Sequence, residues 1–315
     1  MSKNQQQVQF VEITASHAGQ RLDNFLLNQL KGVPKSHIYR IMRSGQVRVN
    51  KGRKKPGYRL VEADQVRIPP IRLTEKKISD IPDHFLNKLD QSILFEDAHI
   101  LVLNKPAGLA VHAGSGIPYG VIEILRQLRP EADMLELVHR LDRDTSGCLV
   151  IARNRPALMK LHELFRSSEG LNKHYRAIVS GRWQGGEKLV TAPLLKNTLK
   201  GGERMVIVND DGKEASSLFT PIDYLDQATL MDIKLFTGRT HQIRVHAAHS
   251  GFPVAGDQKY GDTEFNLQLK QLGFKRMYLH AYSLEFSLEQ HYKITAPLDE
   301  EWQQLIQSLS HNSAI

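Results

Sequence analysis

LVHRLDRDTSGCLVIAR, residues 137–153, orders the rest of the chain around it. Its second half, GCLVIAR (147–153), is a short apolar run opened by a glycine, the composition of a strand covered on both faces. Its first half crowds Arg140, Asp142, Arg143 and Asp144 into five residues just before that strand. A charged turn entering a strand is ordinarily just a turn. Yet two carboxylates and two guanidiniums beside a buried sheet can tune one carboxylate while leaving the cations to bind phosphate. On either side, HILVLNK (99–105), KHYRAIVSG (173–181) and LMDIKLFTG (230–238) read as further strands, rich in β-branched and aromatic residues. Helices punctuate them: Leu158, Leu161 and Phe165 form one apolar stripe with Gly170 as its stop, and Trp302, Leu305, Ile306 and Leu309 form another. Strands in succession, without strict βαβ alternation, predict an α+β domain over residues 91–315, built on a mainly antiparallel mixed sheet.

Residues 19–72 carry their own complete pattern, preceded by a tail and lead-in strand over 1–18. Leu22, Phe25, Leu26 and Leu30 share one helical face. Ser36 is the expected N-cap of a second helix bearing Ile38, Ile41 and Met42, with Gly45 as its C-cap. Two alternating runs follow, QVRVN (46–50) and QVRIP (65–69). Ten Lys/Arg lie between Lys31 and Arg59 with no Asp or Glu among them, including Lys35, Arg40, Arg43, Arg48, Lys51, Arg53, Lys54 and Lys55. The formal net charge is +8, and the remainder of the chain holds 32 of the 42 bases against all 34 acids. The whole positive excess thus sits in one short segment, an electrostatic footprint for a polyphosphate. Residues 73–90 show no clear period and read as a linker.

Other chemistries fit poorly. No run reaches the roughly 18 apolar residues of a membrane span, and the start lacks a secretory h-region, so a cytoplasmic protein without membrane contact is expected. Cys148, the single cysteine, excludes an intramolecular disulfide framework and reads as a small buried hydrophobe. GSG at 114–116 lacks the third glycine of a dinucleotide fingerprint and is followed by Pro118, so no nucleotide cofactor is expected. In THQIRVHAAHSG (240–251) a helix would set His241 and His246 about 140° apart around the axis, and His241 about 12 Å from His249 along it. A strand would point His241 and His246 to opposite faces, so no metal is expected either.

Two resemblances sharpen this reading. RLDNFL (21–26), PKSHIYRIMRSGQVRVNKGRKKPGYRL (34–60) and EADQVRIPP (62–70) resemble the S4 RNA-binding domain. HRLDRDTSG (139–147) resembles the HRLDxxTSG signature of RluA-type RNA pseudouridine synthases. Further matches to that family follow in order: LFEDAHILVLNKPAGLAVH (94–112), NKHYRAIVSG (172–181), TGRTHQIRVHAAHSGFPVAGDQKYG (237–261) and YLHAYSLEF (278–286). The resemblance implies a monomeric, cofactor-free enzyme that isomerises uridines in large-subunit (23S) ribosomal RNA. Transfer RNA is the alternative substrate, and an S4-bearing ribosome-assembly factor the alternative role. By resemblance Asp142 is the catalytic carboxylate, Arg244 its cationic partner and Tyr175 the active-site tyrosine. Leu279 is the apolar residue against the base, and Arg140 fills the space that an extruded nucleotide vacates. Lys105 of NKPAG is structural or phosphate-contacting in this reading.

Overall fold

The computed structural model describes residues 7–14, 17–30, 33–71, 81–114, 117–198 and 204–311. The chain divides into two compact units, residues 1–80 and 81–315.

The first unit runs β1 (Gln9–Glu12), α1 (Leu22–Gln29), α2 (Lys35–Arg43), β2 (Arg48–Val49) and β3 (Gln65–Ile68). Among the described residues, β3 lies between β1 and β2 in an antiparallel sheet. The alternation of the strands decides its inner face: Val49, Val66 and Ile68 point inward onto Leu22, Phe25, Leu26, Ile38 and Ile41 of the two helices. Ser36 does not cap α2. Pro34 occupies the cap position and Lys35 the first helical residue, so the fixed φ of proline sets the helix entry and no side chain caps it. Gly45 follows the helix with φ +72°, as its placement after the last apolar residue requires. Of the basic segment, Lys31 lies outside the described residues.

The second unit opens with α3 (Asp83–Asp90), which corrects the reading of 73–90 as linker. Leu89 is buried, and Phe85 and Leu86 pack against the same core. About two turns of helix are too short for periodicity to stand out in sequence, and packing supplies their stability. Residues 73–80 of the same stretch lie outside the described residues.

There follow β4 (Ile93–Glu96), β5 (Ile100–Lys105), α4 (Val121–Leu128), β6 (Glu136–Leu137), β7 (Ser146–Ala152) and α5 (Arg155–Ser167). Next come β8 (Asn172–Ser180), β9 (Lys188–Thr191), β10 (Leu194–Thr198), β11 (Arg204–Val208), β12 (Ser216–Leu225) and β13 (Ala228–Leu235). The chain closes with α6 (Gln242–His249), α7 (Thr263–Gln271), β14 (Leu279–Ser287), β15 (His291–Thr295) and α8 (Glu300–His311). Among the described residues, β4-β5-β7-β14-β8-β13-β12-β9 run in that order through a ten-stranded sheet, with β15 paired to β14 and β6 to β7. All these pairs are antiparallel except β7 with β14. The fold is therefore the expected α+β class with a mixed sheet. Every residue of β7 is buried, as its uninterrupted apolar sequence demands of a central strand.

The parallel pair at the middle of the sheet positions everything that follows. Gly147 pairs with Ala281 of β14, and Ala281 pairs with Tyr175 of β8. Gly147 has φ +107°, and a Cβ there would collide with the backbone of Ala281. Glycine alone lets β7 start this close to β14 directly after the charged turn.

Candidate active site

The Arg140–Asp144 turn sits at the N-terminal end of β7, held by a Thr145 amide that donates to the Asp142 carbonyl at 3.1 Å. Beneath it Lys105, fully buried, donates to the carbonyls of Pro106 (2.8 Å), Leu109 (2.8 Å) and Arg143 (3.0 Å). Burial pushes this lysine down to about 7, opposed by the charges of Asp144 and Asp142. Three carbonyl acceptors match the three protons of an ammonium and favour its charged form. Lys105 thereby ties the end of β5 to the turn that carries Asp142.

A pocket of about 140 Å³ opens beside Asp142, with Arg140, Leu141, Tyr175, His241, Arg244 and Leu279 among its walls. It shares Arg140, Asp142, His241 and Arg244 with an open cleft of about 1420 Å³, which Arg143, Lys259, Lys275 and Arg276 also border. The register explains the convergence: Leu279 begins β14, Tyr175 lies on β8 next to it, and the Asp142 turn feeds β7 on the other side of β14. Arg140 and Arg143 are exposed at the mouth.

The Asp142 carboxylate is 22% exposed, with Oδ2 lying 3.6 Å from Nη1 of Arg244 and 3.7 Å from Nε2 of His241. Arg244, 8% exposed, belongs first to another carboxylate. Its Nε and Nη2 donate to Asp257 at 2.6 and 2.7 Å, a bidentate buried pair. Burial works against the Arg244 charge, but the Asp257 hydrogen bonds and the charges of Asp257 and Asp142 more than offset it. Asp257 also accepts from the amides of Lys259 (2.8 Å) and Tyr260 (3.2 Å), so a tight turn holds it. Gly256 at φ +74° lets that turn press against the Arg276 backbone, where any Cβ would collide.

His241 enters α6 in the left-handed conformation, φ 54°. Its Nδ1 lies 2.8 Å from Oη of Tyr260, whose ring lies under the Arg244 guanidinium at 5.0 Å. Burial lowers its proton affinity and the charge of Asp142 opposes this, leaving a net downward shift. The preceding loop is fixed by Gln242, which accepts from Oγ1 of Thr237 (2.8 Å) and the Arg239 amide (2.9 Å), and donates to the Ser216 carbonyl (3.0 Å) and Oγ of Ser217 (2.9 Å). His246 points away from the pocket, its ring nitrogens 3.0 Å from Oγ of Ser217 and 3.0 Å from the Ala192 carbonyl. Burial raises the Tyr175 phenol well above its usual range, with the Asp142 charge adding to it, so Tyr175 stays a protonated phenol.

The structure thus brings Asp142, Tyr175, Arg244, Leu279 and Arg140 to one pocket. Sequence reasoning missed Asp257 and Tyr260 and set His241 aside with the metal question. The sequence did hold a signal for Asp257, an acid following the apolar PVAG within the quoted 237–261 stretch. Of the basic residues, Lys35, Arg40 and Arg43 are exposed on α2. Arg48 and Arg53 lean on backbone carbonyls of Gly45, Lys51 and Ser44, and Lys54 lies over the Tyr58 ring at 4.5 Å. Lys51 and Lys55 are exposed. Cys148 is fully buried, its thiol pushed up to about 12 by desolvation.

Comparison with known proteins agrees in both units. The family described as RNA pseudouridylate synthase matches residues 99–249, and the S4 domain matches 20–66. A protein named ribosomal large subunit pseudouridine synthase C from Escherichia coli K12 is 52% identical over 309 residues, 96% of this chain and 97% of its own. Its namesake from Pasteurella multocida is 51% identical over 309 residues, 96% and 94%. The solved structure of human RNA pseudouridylate synthase domain containing 4 aligns at TM-score 0.61 and 24% identity, covering 72% of this chain and 96% of that one, and so speaks to the fold. Identity of this extent, across both units and through the motifs that build the pocket, makes the chain a member of the RluA-type RNA pseudouridine synthases that carry an N-terminal S4 domain.

Proposed function

We propose that this enzyme converts uridines of large-subunit ribosomal RNA to pseudouridine, with Asp142 as the reacting carboxylate. The observation that carries the reading is the Asp142 carboxylate at the edge of a small pocket, walled by Tyr175 and Leu279 and flanked by the Arg244 guanidinium at 3.6 Å. In the reaction the bond from C1′ to N1 of uracil breaks, the base turns, a bond from C1′ to C5 forms, the proton on C5 leaves, and N1 takes up a proton. No electrons are gained or lost. A carboxylate serves this chemistry as a nucleophile on sugar or base, or as a base toward a sugar proton.

A uracil stacked in folded RNA is out of Asp142's reach, so the target nucleotide is extruded into the pocket. Tyr175 and Leu279 give the base an aromatic and an apolar wall, and in this reading the Tyr175 hydroxyl exchanges protons with it. Arg140, exposed at the mouth, suits the vacated space because a guanidinium both stacks on bases and bonds phosphates. Lys35, Arg40, Arg43, Arg48, Lys51, Arg53, Lys54 and Lys55 supply phosphate contacts from the S4 unit. Ribosomal RNA as substrate is supported by the names of the relatives and goes with a cytoplasmic location. A monomer is the proposed working form. The test is to map pseudouridines in the ribosomal and transfer RNA of cells with and without this protein. Loss of specific large-subunit sites is the expected result, and loss confined to transfer RNA overturns the substrate assignment.

A further inference from the structure

On the outer face of the β1-β3-β2 sheet, Phe10 and Arg67 stand in one row with Arg48, one of the bases assigned to phosphate contact above. Along β3 the side chains alternate: Val66 and Ile68 point into the core, while Gln65 and Arg67 point out. The register lines up one row across all three strands on that outer side, Phe10 opposite Arg67 and Arg67 opposite Arg48. Directly opposite residues stand about 5 Å apart at Cβ, so a ring and two guanidiniums adjoin. Phe10 is 66% exposed, a large cost for a phenylalanine on a small unit whose other aromatic of that kind, Phe25, is fully buried. With Asn50, Lys51 and Gln65 these three line a hollow of about 490 Å³, in which Phe10 is the one apolar residue.

The cations are set for an external anion. Arg48 donates to the carbonyls of Gly45 (3.2 Å) and Lys51 (3.1 Å), and Arg67 donates to that of Gln46 (2.7 Å). Carbonyl contacts orient each guanidinium without neutralising it. Among the described residues no carboxylate pairs with Arg48, Lys51 or Arg67. Asn50 and Lys51 both adopt positive φ, 50° and 66°, and the turn they form stands at the rim. Asn50 is held there by its bonds to Asp64 (2.7 Å) and the Gln65 amide (2.8 Å).

We propose that this sheet face is a second RNA contact of the S4 unit, at which Phe10 stacks on one unpaired base and Arg48, Lys51 and Arg67 bind the phosphates beside it. The inference deepens the RNA-binding role proposed above and rests on it. One aromatic ring bordered by three cations and two amides matches a single-stranded nucleotide, whose base offers a π-face and whose backbone offers charge and hydrogen-bond acceptors. A protein partner fits less well, because a stable interface covers about 800 Å² per side around an apolar centre and depletes charge there.

The test uses the full chain and a single-stranded oligouridylate of about twelve nucleotides, a length within the site size of such surfaces. Trp183 and Trp302 are both buried, so in a Phe10→Trp variant new fluorescence quenching on RNA addition reports stacking at position 10. Phe10→Ala should weaken binding roughly 5- to 100-fold while leaving its salt dependence unchanged. Arg67→Gln should weaken binding and lower the salt slope by about one. The proposal fails if Phe10→Ala binds as tightly as the parent, or if Phe10→Trp shows no quenching. It also fails if Phe10→Ala lowers the melting temperature with unchanged affinity, which marks a face covered by protein. Release of tritium from uridine labelled at C5 is followed in parallel. Parental binding and turnover with indifferent Phe10 variants overturn this contact alone, whereas a parent chain that neither binds nor turns over overturns the broader reading as well.

Discussion

Replacing Asp257 with asparagine probes the buried carboxylate that grips Arg244, the one that sequence reasoning missed. In the folded chain Arg244 and Asp257 are 8% and 0% exposed and meet through two hydrogen bonds of 2.6 and 2.7 Å. Removing one partner of such a pair leaves an uncompensated buried charge and costs about 3–5 kcal/mol. For a unit of this size each kcal/mol moves the melting temperature by roughly 2–4 °C, so Asp257→Asn should melt about 6–20 °C lower. The asparagine oxygen can still accept from the Lys259 and Tyr260 amides, which confines the loss to the ion pair. Asp142→Asn is the internal control. Its partner contact with Arg244 is longer, 3.6 Å, and its carboxylate is 22% exposed, so its melting temperature should barely move. Thermal denaturation followed by circular dichroism, with tritium release from C5-labelled uridine on the same preparations, separates the two. Asp257→Asn should lose stability and part of its turnover, Asp142→Asn its turnover alone. If Asp257→Asn melts no lower than Asp142→Asn, the buried pair is not what holds Arg244, and the reasoning from geometry is refuted.

Turnover should separate the two neighbouring acids: Asp142→Asn is expected to lower it by roughly a thousandfold or more with RNA affinity nearly intact. Asp144→Asn should keep measurable turnover, because Asp144 pairs with Arg143 at an exposed site worth only ~0–1 kcal/mol. Deleting residues 1–80 should leave the second unit folded around its own core and weaken its RNA binding, with a deficit that shrinks as salt rises; equal affinity at low salt contradicts this. Stability should fall in mild acid. Burial pushes His139 down to about 3 and His280 to about 4, against 6.5 unfolded, so the unfolded chain binds more protons between pH 6.5 and about 4. Stability is therefore full above about pH 6.5 and declines as pH drops through that window, and an unchanged urea midpoint at about pH 7 and about pH 5 counts against it.

The sequence alone determined what local pattern can determine. The apolar run of β7 had to be a central strand, the 3.6-residue stripes of α1, α5 and α8 had to be helices, and the ten bases had to form a positive segment, because periodicity and charge are carried by neighbours in the chain. The ordered motifs went further and singled out Asp142, Tyr175, Arg244 and Leu279, four residues spread over more than a hundred positions. Tertiary structure decided how they meet. The parallel contact of β7 with β14, permitted by the missing side chain of Gly147, brings Leu279 and Tyr175 to the Asp142 turn, and no window of sequence contains that register. It also decided that Arg244 is gripped by Asp257 rather than by Asp142 alone, that Lys105 ties the turn from below, and that Phe10 and Arg67 share an outer row. Each of these depends on which strands lie side by side, a choice made by burying the whole apolar surface at once, and so none could be read from one segment at a time.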